Sequence, residues 1–172
     1  MSTDTPVNSV DVSSESVEPP SWAEGAQRFV LRVLAELGIS GWDVSIVFCD
    51  DEFIRSLNAT YRGLDEPTDV LSFSQLESTS QVESAAAGSE ADGTPSLQHH
   101  EMRPVGDLVI SLDTMRRQAA EYDVTVEEEL KRLLIHGLLH LAGYDHGERR
   151  DDGKMMDTQE GLLSRLTEER VF

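Results

Sequence analysis

The 172-residue chain carries 33 acidic and 14 basic side chains, a formal net charge of −19, which opposes loose, charge-driven binding to nucleic acid; an RNA partner has to be met through a local basic patch. The single cysteine, Cys49, excludes an internal disulfide framework and fits a reducing compartment. No stretch is long and apolar enough to span a bilayer, and the start of the chain has no basic segment followed by an apolar run, so a soluble, cytoplasmic, single-domain protein is expected.

Residues 1–20 are rich in Ser, Thr, Asp, Glu and Pro and lack large apolar residues, which reads as a disordered acidic tail before one domain spanning 21–172. Ser21 with Glu24 forms a capping-box pattern, and Trp22, Ala26, Phe29, Val30, Val33, Leu34 and Leu37 make the apolar stripe of a first helix that ends at Gly38. Trp42 to Cys49 alternates and is β-branched, hence a strand, with Cys49 as a core residue at its end. Asp50 or Asp51 then caps a helix carrying Phe53, Ile54 and Leu57. Asp69 to Phe73 and Gly106 to Leu112 read as two strands that pair as a hairpin around a disordered acidic insertion at about 77–102, in which His99 and His100 are read as solvated. Asp113 caps the next helix, and Thr125 with Glu128 forms a second capping box opening a helix whose buried stripe is Leu130, Leu134, Leu138 and Leu141. A last helix from about Asp152 to Arg170 buries Met156, Leu162, Leu163 and Leu166. The expected fold is α+β: one small mixed sheet packed with about five helices.

The string HGLLHLAGYDH places His136, His140 and His146 at relative positions 0, 4 and 10, with Gly143 at position 7. His136 and His140 lie one turn apart on one helix face, and a glycine free to take positive φ can reverse the chain so that His146 returns as a third ligand. Three imidazoles at the end of a central helix leave a tetrahedral zinc one open position, the arrangement of a catalytic site. The spacing is that of metzincin peptidases, but Gly137 stands where they carry the glutamate that takes a proton from water. The alternative is three histidines placed in register by chance.

The segment from Asn58 to Phe73, within LNATYRGLDEPTDVLSF, is dense in polar side chains where a helix gives way to a strand. Arg62 presents a rigid five-donor fork suited to phosphate oxygens. Equally, Arg62 is a structural residue paired with Asp65 or Asp69. Thr68, Asp69 and Ser72 suit turn and strand-end hydrogen bonds. Arg116, Arg117, Lys131 and Arg132 on neighbouring helices could face RNA, although such pairs are usually solvated.

These segments, with GDLVIS, the EEELKRLLIHGLLHLAGYDH block, and Met156 with Glu160, resemble the YbeY family of bacterial rRNA maturation factors, metal-dependent endoribonucleases. The resemblance implies one zinc per chain held by His136, His140 and His146, and an Arg62 important for RNA cleavage. It also implies single-strand-specific cutting of rRNA in 16S 3′-end processing and ribosome quality control. Ribosomal particles, and a ribosomal protein or assembly GTPase, are the implied partners; no membrane and no DNA are expected. Ser74 departs from the proline usual after LSF, and the acidic insertion is longer than the family's. In the expected mechanism the ion lowers the pKa of water towards about 7, Arg62 holds the non-bridging oxygens, and Asp145 orients His146. The rivals are a metallopeptidase, disfavoured by Gly137, and a non-catalytic zinc-stabilised ribosome-assembly factor.

Overall fold

The structure is a computed structural model that describes residues 7–75, 102–144 and 152–172. Its elements are β1 (Ser9–Glu15), α1 (Ala23–Glu36), β2 (Trp42–Cys49), α2 (Asp51–Arg62), β3 (Val70–Ser74), β4 (Arg103–Ser111), α3 (Leu112–Glu121), α4 (Val126–Leu141) and α5 (Asp152–Arg165). The four strands form one mixed sheet in the order β1-β2-β4-β3, with β1 and β4 parallel to β2 and β3 antiparallel to β4. The α+β class, the mixed sheet and the β3–β4 hairpin pairing are as the sequence led one to expect.

Strand β1 corrects the reading of residues 9–15 as disordered tail. Val10 and Val12 alternate with polar residues, and Val10 is buried in the core. The parallel ladder to β2 satisfies the backbone, and side chains tie the segment down: Trp42 N donates to Asn8 Oδ1 (2.9 Å) and Gln27 Nε2 donates to Val10 O (2.6 Å). The insertion expected at about 77–102 lies, but for Met102, outside the described residues, as do His99 and His100.

Alternation along the strands separates two apolar layers. Val44, Ile46 and Phe48 of β2 and Leu108 and Ile110 of β4 join α1, α4 and α5 in the main core. On the opposite face Cys49, Val109 and Leu71 pack under Ile54, Phe53 and Leu57 of α2. Helix α4 is the central helix: Leu130, Leu133, Leu134, Leu138 and Leu139 are all fully buried. Its start is fixed by the expected capping box, in which Thr125 Oγ1 accepts from Glu128 N and Glu128 Oε2 accepts from Thr125 N.

Three local expectations are corrected. Helix α1 starts after Trp22 with no side-chain cap, so Ser21 and Glu24 do not form a box. Asp50 caps α2, accepting from Phe53 N, but α3 is capped by Ser111, because Asp113 is turned to accept from Asp51 N (3.1 Å). Helix α5 ends at Arg165 and buries Met155, leaving Met156 exposed. The buried face of α5 is therefore Met155, Gln159 and Leu162, continued by Leu166 just past its end, one residue earlier at its start than the pattern through Met156.

Candidate metal centre and active site

Helix α4 sets His136 and His140 on its half-buried face. Their Nε2 atoms lie 2.8 Å apart and the rings meet edge to face, with centroids separated by 4.4 Å. The other nitrogen of His136, Nδ1, lies 3.1 Å from Oε1 of Gln159, which α5 brings against α4. After the last turn Gly143 takes φ 83°, a left-handed conformation that turns the chain away from the helix axis as the sequence requires. His146 and Asp145 lie outside the described residues, as does the role given to Asp145. Among the described residues no group of three or more His, Cys, Asp or Glu side chains gathers to hold a metal. The two imidazoles fit a divalent ion that prefers nitrogen ligands. They converge from one helix face, and a tetrahedral ion at about 2.0 Å from each would need the nitrogens to open by only about half an ångström.

Gly137 lies about 100° round the helix from His136, where α4 meets the sheet. A methyl group there would sit 2.8 Å from Leu108 Cδ2, and Ser72 Oγ of β3 donates to Gly137 O (3.4 Å). The helix therefore lies close on the sheet at the position where a metzincin carries its glutamate, and a side chain at 137 enters the core beneath α4.

Arg62 stands at the C-terminal end of α2, just before Gly63 takes φ 71° and closes the helix. It is exposed and, among the described residues, makes no hydrogen bond or ion pair. The acids that could have claimed it are engaged elsewhere. Asp65 is held bidentately by Arg55 (2.8 and 3.0 Å), and Asp69 lies 3.9 Å from Arg132 while its Oδ1 accepts from Val70 N. Asn58 is buried and donates to Glu66 O (2.8 Å), which fixes the turn that follows Arg62. The structural pairing of Arg62 is thus not made. Nor is Arg62 hydrogen-bonded to the histidines: strand β3 stands between, with Phe73 meeting Tyr61 of α2 on one face and Ser72 meeting α4 on the other.

Arg116, Arg117, Lys131 and Arg132 are each engaged by a neighbouring group. Arg117 pairs with Asp51 at 2.6 Å, and Arg116 lies 3.9 Å from Asp113. Lys131 is buried, donating to Thr167 O (3.2 Å) with its ammonium over the Phe29 ring, and Arg132 is held by Glu129. Asp51 also accepts from Ser111 and Thr114, which locks α2 to the start of α3 at the ends of β2 and β4. Burial pushes the Asp51 carboxyl up, but the hydrogen bonds from Arg117, Ser111 and Thr114 outweigh it and hold it below the usual range. Cys49 is a core thiol pushed up to about 12 by burial, then by Asp50 and Asp51. Fully buried under α2, with its Sγ donating to Ile110 O at 3.5 Å, Cys49 serves packing.

The fold and the paired imidazoles place the chain among α+β proteins with a histidine site at the end of a central helix. The family model described as Endoribonuclease YbeY matches residues 9–167, and the chain belongs to that family. The Endoribonuclease YbeY of Treponema denticola is 39% identical over 167 residues, covering 96% of this chain and 97% of the relative. That of Treponema pallidum is 42% identical over 158 residues, covering 92% and 89%. A solution structure of a Thermotoga maritima protein, 23% identical, superposes with a TM-score of 0.58 over 94% of each chain and bears on the fold alone. Among the described residues no helix is long and apolar enough to cross a membrane.

Proposed function

We propose that the chain is a metal-dependent endoribonuclease that hydrolyses rRNA phosphodiester bonds at the histidine end of α4. The observation that carries the reading is the convergence of His136 and His140, Nε2 to Nε2 at 2.8 Å, in a chain of this family. In finer terms the ion is one zinc held by His136, His140 and His146, and the substrate is single-stranded RNA. The work is 16S rRNA 3′-end maturation and ribosome quality control in the cytoplasm, and family resemblance is its support. A net charge of −19 favours delivery of the substrate by ribosomal particles, through a ribosomal protein or an assembly GTPase, over capture of free RNA.

When bound, the ion supplies a Lewis acid that polarises a phosphoryl oxygen or water. The chain's residues do the rest. His136, His140 and His146 would hold it. Arg62, exposed and without a partner among the described residues, offers its whole fork to non-bridging oxygens and to the charge that develops on them. Strand β3, the last in the sheet, lies between α2, which carries Arg62, and α4, which carries the histidines. Gly137, directed at Leu108, contributes no proton acceptor, which weighs against peptidase chemistry.

Zinc content and cleavage of single-stranded RNA by the purified chain, His140→Ala and Arg62→Ala test the reading. His140→Ala is expected to lose zinc and cleavage together, and Arg62→Ala to lose cleavage with zinc kept and stability changed by no more than about 0.5 kcal/mol. Unchanged cleavage in both variants, or digestion of casein by the wild type, overturns it. Zinc-loaded protein that binds ribosomal particles but never cuts RNA would point to the assembly-factor alternative.

A further inference from the structure

We infer that Gln159 is a positioning residue that selects which nitrogen of His136 faces the metal. The inference rests on the metal reading above, but the tautomer it concerns belongs to the metal-free chain as well. Gln159 is 3% exposed and shares the buried face of α5 with Met155 and Leu162. A polar side chain in such a face needs a partner, and its carbonyl oxygen finds one at 3.1 Å in His136 Nδ1. With its carbonyl oxygen turned to His136, Gln159 accepts, and this arrangement assigns the proton to Nδ1. A neutral imidazole has one N–H, so Nε2 of His136 is left with its lone pair. That lone pair points at His140 Nε2, 2.8 Å away. It is that lone pair, facing His140 across the shared gap, that a divalent ion would take.

The consequence is an ordered chain from α5 to the ion: the Gln159 amide, His136 Nδ1–H, and His136 Nε2. Residues that accept from the far nitrogen of a ligand histidine fix ring orientation as well as tautomer. The sequence pattern concealed this role, since it drew attention to Met156 and Glu160, both exposed, whereas Met155 and Gln159 face α4.

Two measurements on the full chain test the inference. The first is the tautomer of His136 in metal-free protein, read from long-range 1H–15N correlations at mildly alkaline pH. The wild type is expected to show Nδ1–H; Gln159→Leu to lose that preference; and Gln159→Glu, which still accepts, to keep it. The second is zinc affinity by competition with a coloured chelator, expected to fall about 10–100-fold in Gln159→Leu and to stay within a few-fold in Gln159→Glu. A His136 that is Nε2–H in the metal-free wild type overturns the inference even if Gln159→Leu does not fold. So does a folded Gln159→Leu with wild-type tautomer and affinity. If the wild type binds no zinc, the metal reading fails, while the tautomer still decides whether Gln159 positions His136.

Discussion

Gly137→Glu restores the peptidase glutamate and separates two explanations of the glycine: a lost catalytic base, or a residue required by packing. A Cβ at 137 meets Leu108 Cδ2 at 2.8 Å and Cδ1 at 3.2 Å, and Leu108 is fully buried. A glutamate must displace that side chain, costing about 1–3 kcal/mol of overpacking. It must also bury a carboxylate among Leu108 and the leucines of α4, with about 3–5 kcal/mol for a buried charge without a partner. Replacing glycine in mid-helix returns about 0.5–1 kcal/mol. The net loss, about 3–7 kcal/mol, is a large part of a typical domain stability of about 5–15 kcal/mol. Gly137→Ala is the control, since a methyl group faces only the movable tip of a leucine and should change stability by about 1 kcal/mol or less. Urea denaturation of the three proteins gives the comparison, with casein digestion alongside. If Gly137→Glu unfolded at the same urea concentration as Gly137→Ala, position 137 would face the site and not the sheet, and the packing explanation would be wrong.

Two further outcomes follow from charge and burial. Since the Asp51 carboxyl titrates below its unfolded value, its contribution to stability is complete above about pH 4, the unfolded carboxylate pKa, and is lost as pH falls through the folded one. Asp51→Asn should lower stability at neutral pH and flatten its decline in acid; parallel urea midpoints against pH for both proteins would contradict this. With the Cys49 thiol pushed up to about 12, native protein at about pH 8 should react with iodoacetamide about a thousandfold more slowly than unfolded chain. Equal rates would show that Cys49 is not sealed beneath α2.

Local signals were legible where one short segment decides the structure. Thr125 and Glu128 cap α4 because their partners are three residues apart, and the stripe from Leu130 to Leu141 has one face and one period. Strand β1 was hidden by its composition: two valines among Ser, Asp and Glu look like tail, and the ladder that orders them lies 34 residues away, as in Ser9 beside Asp43. Ser111 displaced Asp113 as the cap of α3 because Asp113 is bound to α2, a tertiary fact. The histidine spacing gave the convergence of His136 and His140, whereas the freedom of Arg62 depended on which arginines took Asp65 and Asp69. The same limit hid Gln159, whose only mark in the sequence is a helical face displaced by one residue.

Cleavage of a single-stranded rRNA fragment by wild-type chain stripped of metal and then titrated with zinc tests the central claim most directly. Cleavage should vanish on stripping and return in full at about one zinc per chain, the capacity of a single four-coordinate site. Cleavage that persists in fully stripped protein would contradict a metal centre built from His136, His140 and His146.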